Sequence, residues 1–116
     1  KLPEAIEAYR RALALDPNYA SPHVGLGNAL RNQGKLPEAI EAYRRALALP
    51  DRRATPASAH TLAHNALGYA LQQQGDLPGA IAEYKKAIRL DPNFATAYSN
   101  LQEAERLLAQ QRNALP

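Results

Sequence analysis

The segment KLPEAIEAYRRALAL occupies residues 1–15 and recurs, letter for letter, at residues 35–49. A diverged third copy, DLPGAIAEYKKAIRL, occupies residues 76–90. Apolar residues recur three and four positions apart in each copy, which is the period of an amphipathic helix. Each copy carries a proline in its first turn, where a missing N–H costs little. The pattern predicts one helix per copy, called type B here.

A second motif alternates with the first. It reads HVGLGNALRNQG at 23–34, HNALGYALQQQG at 64–75 and YSNLQEAERLLA at 98–109. Gly34 and Gly75 are placed as C-terminal caps, and Ser21-Pro22 reads as an N-cap followed by the first helical residue. These motifs predict helices of a second kind, type A, in the order B-A-B-A-B-A.

Stacking is required because neither helix type can bury its apolar stripe alone. Asp-Pro-Asn at 16–18 and 91–93 ends two of the type B helices. The short links force neighbouring helices to run antiparallel, and stacked helix pairs form one continuous core. The sequence therefore predicts an all-α solenoid of six helices.

Composition narrows the function classes. Of 116 residues, 46% are hydrophobic and 22% charged, which is typical of a soluble globular protein. The chain has no cysteine, which excludes disulfides, thiolate metal ligands and cysteine nucleophiles. A net charge of +3 is mild for a nucleic-acid binder. Because the chain begins at Lys1 and contains no methionine, we expect a piece of a longer protein. Its apolar runs are too short to span a membrane, so we expect no membrane contact, and we expect the chain in the cytoplasm.

The alternating motifs resemble the tetratricopeptide repeat, whose pattern is an aromatic residue, Leu-Gly, a second aromatic residue, Ala-x3-aromatic and a closing proline. The matching residues are His23, Leu26, Gly27, Leu30, Ala39, Tyr43, His64, Leu67, Gly68, Leu71, Ala80, Tyr84 and Pro92, with Ala5, Tyr9 and Pro17 in the first copy. The resemblance implies a right-handed superhelix of antiparallel helix pairs and a protein-binding function without catalysis.

Two mid-helix glycines support this resemblance physically. A glycine inside a helix costs about 1 kcal/mol relative to alanine. Gly27 and Gly68 stand in register, so we expect the paired type B helix to pack against bare backbone there, with Ala39 and Ala80 as small partners.

The chain forms one array of repeats. It departs from the family pattern in three places: the first repeat lacks its type A helix, an insertion precedes the third repeat, and the last type A segment is altered. The array consists of a partial first repeat with helix B only (1–18), a second repeat (20–51), an insertion that extends the next type A helix (52–60), a third repeat (61–94) and a capping helix (95–116). Thr55-Pro56 reads as a new N-cap, which predicts a short loop at 50–55 and a helix longer by one to two turns. Gln102 and Glu105 replace the glycine and leucine of the other type A copies, which favours a terminal cap.

The resemblance also implies a binding site, because type A helices line the concave face of such arrays. The positions carried over are Val24, Asn28, Arg31, Asn32, Leu62, Asn65, Tyr69, Gln72, Gln73, Ser99, Glu103 and Arg106. The amides offer both donors and acceptors to a peptide backbone, and Tyr69 offers a flat amphipathic surface. The alternative is that these residues are merely solvated.

Two known subtypes of the family match poorly. One clamps a C-terminal carboxylate with two basic residues and several asparagines. Of those positions only Asn28 matches, and the others are Val24, Ala66, Thr96 and Asn100. The second subtype carries an asparagine ladder, and here that column reads Gly25, Ala66, Asn100. Gly25 is either a weak spot in its helix or a place where a ligand backbone approaches.

Weaker signals favour structural roles. His60 and His64 are four apart, a spacing found in helical zinc sites, but no third ligand accompanies them. We expect no metal and no cofactor. The pairs Arg10-Arg11, Arg44-Arg45 and Lys85-Lys86 form a basic stripe, which we interpret as a solvated face rather than a site for nucleic acid or an acidic partner. No catalytic motif appears, so we predict that the chain is not an enzyme.

Two functions remain open. The first is a protein-interaction scaffold that binds a peptide or partner segment in its concave groove. The second is self-association through the unpaired first helix, using Leu2, Ile6, Tyr9 and Leu13.

Overall fold

The computed structural model describes residues 2–51 and 58–114, and over these ranges its only regular elements are helices. In chain order the helices are α1 (Leu2–Leu15), α2 (Ala20–Asn32), α3 (Leu36–Ala48), α4 (Ala59–Gln73), α5 (Leu77–Leu90) and α6 (Ala95–Ala114). The predicted all-α class and the alternation of type B (α1, α3, α5) with type A (α2, α4, α6) are confirmed. None of these helices is both long enough and apolar enough to cross a membrane.

The packing order of the helices produces an elongated molecule in which the type A helices lie next to one another. Each helix packs on the next one in the chain, and in addition α2 contacts α4 and α4 contacts α6. The array measures 53 × 29 × 23 Å. The type A helices therefore form a continuous row, and the side chains on that row can share one surface.

Two tyrosine rings of the core are set against glycines. Tyr43 and Tyr84 are fully buried. A Cβ placed on Gly27 would lie 2.7 Å from Cδ1 of Tyr43, and one on Gly68 would lie 2.8 Å from Cδ1 of Tyr84 and 3.1 Å from the backbone oxygen of Ala80. The predicted close approach of the type B helices is confirmed, although at Gly27 the nearest neighbour is the tyrosine ring and not Ala39.

Two type A helices end in the same hydrogen-bonded cap. Gly34 and Gly75 have φ angles of 82° and 91°, a left-handed conformation that side chains rarely adopt. The amide of Lys35 donates to the carbonyl of Leu30 at 2.9 Å, and the amide of Gly34 donates to that of Arg31 at 2.8 Å. This pair of bonds is the Schellman motif, which turns the chain tightly into the following type B helix.

The predicted start of α2 at Ser21-Pro22 is wrong. The helix begins at Ala20, and Tyr19 precedes it in an extended conformation without a side-chain cap. The carboxylate of Asp16 accepts the amide of Asn18 at 3.2 Å, and the turn it forms leads directly into the helix. Pro22 therefore lies in the first turn, where its missing N–H needs no helical partner.

The start of α4 also differs from the sequence-based expectation. Thr55-Pro56, the expected cap, lies outside the described residues. Ser58 caps the helix, because its side-chain oxygen accepts the amide of Thr61 at 3.2 Å. When the repeats are aligned, α4 starts only two residues earlier than α2. The helix is therefore longer by about half a turn, and not by the one to two turns that the sequence predicted.

Candidate functional site

A groove of about 450 Å³ opens on the row of type A helices, with α4 at its centre. It is lined by Val24, Asn28, Arg31, Leu62, Asn65, Ala66, Tyr69 and Asn100. The structure thus brings together half of the residues that the sequence proposed for this face. Sequence reasoning missed Ala66 and Asn100 as lining residues, although both belong to the same repeat column as Gly25 and could have been found from it.

Two polar side chains of this face are fixed by buried tyrosines. The Tyr43 hydroxyl donates to Oδ1 of Asn28 at 2.6 Å, and the Tyr84 hydroxyl donates to Oε1 of Gln72 at 2.8 Å. Burial raises the pKa of Tyr84 to about 12. Burial also raises the pKa of Tyr43, against the opposing charge of Arg31. Both tyrosines therefore stay protonated as donors, and each amide leaves its NH₂ group available to a ligand.

A third polar contact joins α4 to α6. The side-chain amide of Asn100 donates to Oδ1 of Asn65 at 3.0 Å. This bond leaves the Nδ2 group of Asn65 as a donor and the Oδ1 atom of Asn100 as an acceptor. Together with Nδ2 of Asn28, the groove offers donors and an acceptor in fixed orientations, which suits the alternating C=O and N–H groups of an extended backbone.

The one charged residue in the lining is Arg31. Its guanidinium carbon lies 5.1 Å from the centre of the Tyr69 ring, a cation–π contact that joins α2 to α4. Tyr69 remains 41% exposed and Leu62 40%, so both offer apolar surface to a ligand, whereas Val24 is nearly buried. Large side chains this exposed are the ones that can gain most from a partner.

The other proposed residues are distributed differently. Gln72 and Gln73 border a second groove of about 480 Å³, lined by Tyr69, Gln72, Gln73, Gly75, Leu77, Leu107, Gln110, Gln111 and Ala114. Asn32 and Ser99 are exposed and line neither groove. Glu103 and Arg106 pair with each other on the surface of α6, and the Arg106 guanidinium holds the pKa of Glu103 below its usual value.

His60 and His64 have structural partners. Nε2 of His60 donates to the carbonyl of Leu49 at 2.6 Å, and Nδ1 of His64 donates to the carboxylate of Glu83 at 2.8 Å. Burial alone raises the pKa of Glu83, but hydrogen bonds from His64 and Lys86 outweigh it and the net pKa is lowered. Within residues 2–51 and 58–114 no group of three or more potential ligands could hold a metal ion.

Half of the residues of the basic stripe are paired with carboxylates. Three of its residues form ion pairs along their own helices: Arg11 with Glu7, Arg45 with Glu41 and Lys86 with Glu83. Such pairs on the surface add little to stability, and each one offsets one positive charge of the stripe.

The apolar residues proposed for self-association are partly used inside the chain. Ile6 is 8% exposed and belongs to the core, and Tyr9 and Leu13 are half-buried. Gly25 explains the position of Tyr9, because a Cβ there would lie 2.9 Å from the Tyr9 hydroxyl. Gly25 therefore makes room for a side chain of α1, and neither earlier interpretation of it holds.

Comparison with known families gives two matches. A family described as TPR repeat matches residues 1–33 and 68–104, which together exceed half of the chain. A second, described as tetratricopeptide repeat, matches residues 20–49. No curated protein sequence matches the chain.

Solved structures share the fold. The structure of MamA aligns with a TM-score of 0.75 and 26% identity, covering 93% of this chain and 59% of that one. The first TPR domain of human RPAP3 aligns with a TM-score of 0.84 and 24% identity, covering 99% and 85%. The first TPR of Spaghetti (RPAP3), bound to the HSP90 peptide SRMEEVD, aligns with a TM-score of 0.80 and 24% identity, covering 93% and 80%. The chain thus spans less than two thirds of MamA.

Proposed function

We propose, from the premise that the chain belongs to the tetratricopeptide repeat family, that it is a non-catalytic interaction module whose concave groove binds an extended peptide segment of a partner protein. The observation that carries this proposal is the arrangement of amides on the row of type A helices. Asn28, Asn65 and Asn100 are held by hydrogen bonds that leave their remaining polar atoms facing a groove with exposed apolar walls.

Pre-organisation is what distinguishes this groove from an ordinary polar surface. A side chain that is already held in place loses less conformational entropy when a ligand binds. The exposed ring of Tyr69 adds a large contact area at low entropic cost, as aromatic residues do in binding sites. The two features together favour recognition of a backbone in extended conformation over a purely solvated face.

The ligand should differ from the chaperone peptide seen on Spaghetti. That peptide ends in EEVD, and clamps for a C-terminal carboxylate need two basic residues and several asparagines. Of those positions only Asn28 matches, and the others are Val24, Ala66, Thr96 and Asn100. We therefore expect that replacing the C-terminal carboxylate of SRMEEVD by an amide does not change its affinity for this chain.

A pair of tyrosine variants tests the proposal. A random peptide library displayed on phage is selected against the immobilised protein, and enriched peptides are measured by calorimetry. Tyr69→Ala should weaken binding at least about tenfold, because it removes the exposed ring of the groove. Tyr98→Ala is the matched control: that ring is 43% exposed on α6 but outside the groove lining, so binding should not change. Equal effects of both variants, or no enriched peptide at all, would refute groove binding.

A second candidate is self-association through α1. The sequences of α1 and α3 are identical, yet Ala42 and Ala46 are buried in α3 while the equivalent Ala8 is exposed and Ala12 half-buried. The alanine face of α1 is thus uncovered in this structure and could pack on a second copy. Light scattering at concentrations from 10 µM to 1 mM, on the order of ordinary weak self-affinities, tests this, and a constant monomeric mass would exclude it.

A further inference from the structure

Arg31 differs from the other cations of the molecule. Among the lysines and arginines in residues 2–51 and 58–114 it alone is half-buried, and all others are exposed. Arg11, Arg45 and Lys86 each have a carboxylate within 3.3 Å. Within the same ranges no carboxylate lies at ion-pair distance from Arg31, whose guanidinium lies over the Tyr69 ring instead.

The surroundings of Arg31 favour an anion. A guanidinium that is partly withdrawn from water loses hydration, and an aromatic ring recovers only part of that loss. The other polar side chains of the groove are the neutral amides of Asn28, Asn65 and Asn100. The groove therefore presents one uncompensated positive charge at a fixed place, and a carboxylate held there would form a charge-assisted, potentially bidentate hydrogen bond.

The path of the groove beyond Arg31 indicates where that carboxylate comes from. Tyr69, which lies under Arg31, also borders the second groove, so the two grooves meet at its ring. The second groove is lined by uncharged side chains, including Gln73, Gln110 and Gln111. A peptide that occupies both grooves passes Arg31 without ending there, so it would offer Arg31 a side-chain carboxylate and not its C-terminus.

We propose that the groove selects peptides with one internal Asp or Glu, whose carboxylate pairs with Arg31 above the Tyr69 ring while the chain continues into the glutamine-lined groove. This inference rests on the peptide-binding function proposed above. It adds the chemical class of the ligand and names the residue that reads it. The recognition differs from a terminal carboxylate clamp both in the residue used and in the part of the peptide that is recognised.

A matched pair of libraries tests the selection. The probes are acetylated, C-terminally amidated peptides of eight residues in which a single Glu or Gln is moved through a background of Ala, Leu, Ser and Asn. The wild-type protein should prefer Glu over Gln on the order of tenfold at one position, because charge-assisted hydrogen bonds are about twice as strong as neutral ones. Arg31→Gln should reduce that preference to about one while the Gln peptides still bind.

Controls keep the outcomes separate. Arg44→Gln removes an exposed arginine of α3 and should leave the Glu preference unchanged. A circular-dichroism melt of each variant verifies that it is folded. Equal enrichment of Glu and Gln by the wild type, or a preference that survives Arg31→Gln, overturns the inference but not groove binding. A third library with free C-terminal carboxylates that outcompetes the amidated one also overturns it. If no library is enriched, both the inference and the proposed function fail.

Discussion

At the scale of single residues, glycines and tyrosines determine how the helices fit together. Gly27 and Gly25 stand on the same helix, and each faces a tyrosine of a type B helix. Tyr43, which faces Gly27, is fully buried and held by its bond to Asn28, whereas Tyr9, which faces Gly25, is half-exposed. The sequence placed Gly27 in this role through its repeat register, but Gly25 has no such counterpart and its neighbour became clear only from the packed helices.

The two glycines should therefore respond differently to the same substitution. Gly27→Ala gains about 1 kcal/mol of helix propensity but forces its Cβ against a ring that cannot move, for a net loss of about 1–2 kcal/mol. Gly25→Ala is the matched control, and because the Tyr9 ring can swing toward solvent it should lose less than about 0.5 kcal/mol. Urea denaturation measures both. A Gly27→Ala variant at least as stable as Gly25→Ala would contradict the packing described here.

The pair formed by His64 and Glu83 makes stability depend on pH. The lowered pKa of Glu83 means that its contribution is present above the unfolded value near 4.5 and is lost as the pH falls through the folded pKa. Glu83→Gln should cost about 2 kcal/mol at pH 7, typical for a hydrogen bond to a charged group. The gap to the wild type should close below pH 4.5, as measured by thermal melts across pH 3–8.

The second repeat lacks this pair, so introducing it there tests the same interaction in the opposite direction. His23 occupies the position of His64, but Ala42 replaces the glutamate. Nδ1 of His23 is buried and has no hydrogen-bond partner within residues 2–51 and 58–114. Ala42→Glu should create the missing pair and stabilise the protein at pH 7, by about 1 kcal/mol. A pH-independent cost of Glu83→Gln, together with a destabilising Ala42→Glu, would show that the pair has no electrostatic role. The sequence does not signal the pair of His64 and Glu83, because the two residues lie 19 positions apart on different helices.

At the scale of helices, identical sequence does not produce identical surroundings. The α1 and α3 helices come from the same 15 letters, but α3 packs between α2 and α4 while α1 packs only on α2. Helix periodicity predicted both elements. The start of α2 was misjudged, because Ser21-Pro22 resembles an N-cap while the Asp16 turn delivers the chain to Ala20 first.

Hydrogen exchange should separate the two helices. Intrinsic exchange rates depend on local sequence, so any difference in protection between matched amides reports packing alone. We expect the amides of Tyr43 and Ala46 to exchange at least about tenfold more slowly than those of Tyr9 and Ala12, since tertiary contacts supply most helix stability in proteins. Residue-resolved NMR is needed for the comparison. Mass spectrometry would not distinguish peptides from α1 and α3, because their sequences and masses are identical. Equal protection would mean that α4 adds nothing to α3.

At the scale of the whole molecule, repetition is what made the fold predictable. A period of helix pairs with glycines in register leaves few ways to bury the apolar stripes, and the elongated array follows. The groove was only partly predictable, since repeat positions indicate which side chains share a face but not how they bond. Three contacts that shape the groove each join two different helices. They are the hydrogen bond from Tyr43 to Asn28, the hydrogen bond from Asn100 to Asn65, and the stacking of Arg31 on Tyr69.

The central claim is that peptides bind on the row of type A helices, and NMR shift mapping with a library-enriched peptide tests it most directly. Side-chain NH₂ signals of Asn28, Asn65 and Asn100 should shift together with the backbone of Tyr69. The exposed amides around Arg44 and Lys85 on the type B helices should stay unchanged. Shifts confined to α3 and α5, with the three asparagines unmoved, would place the binding surface on the opposite side and contradict the account.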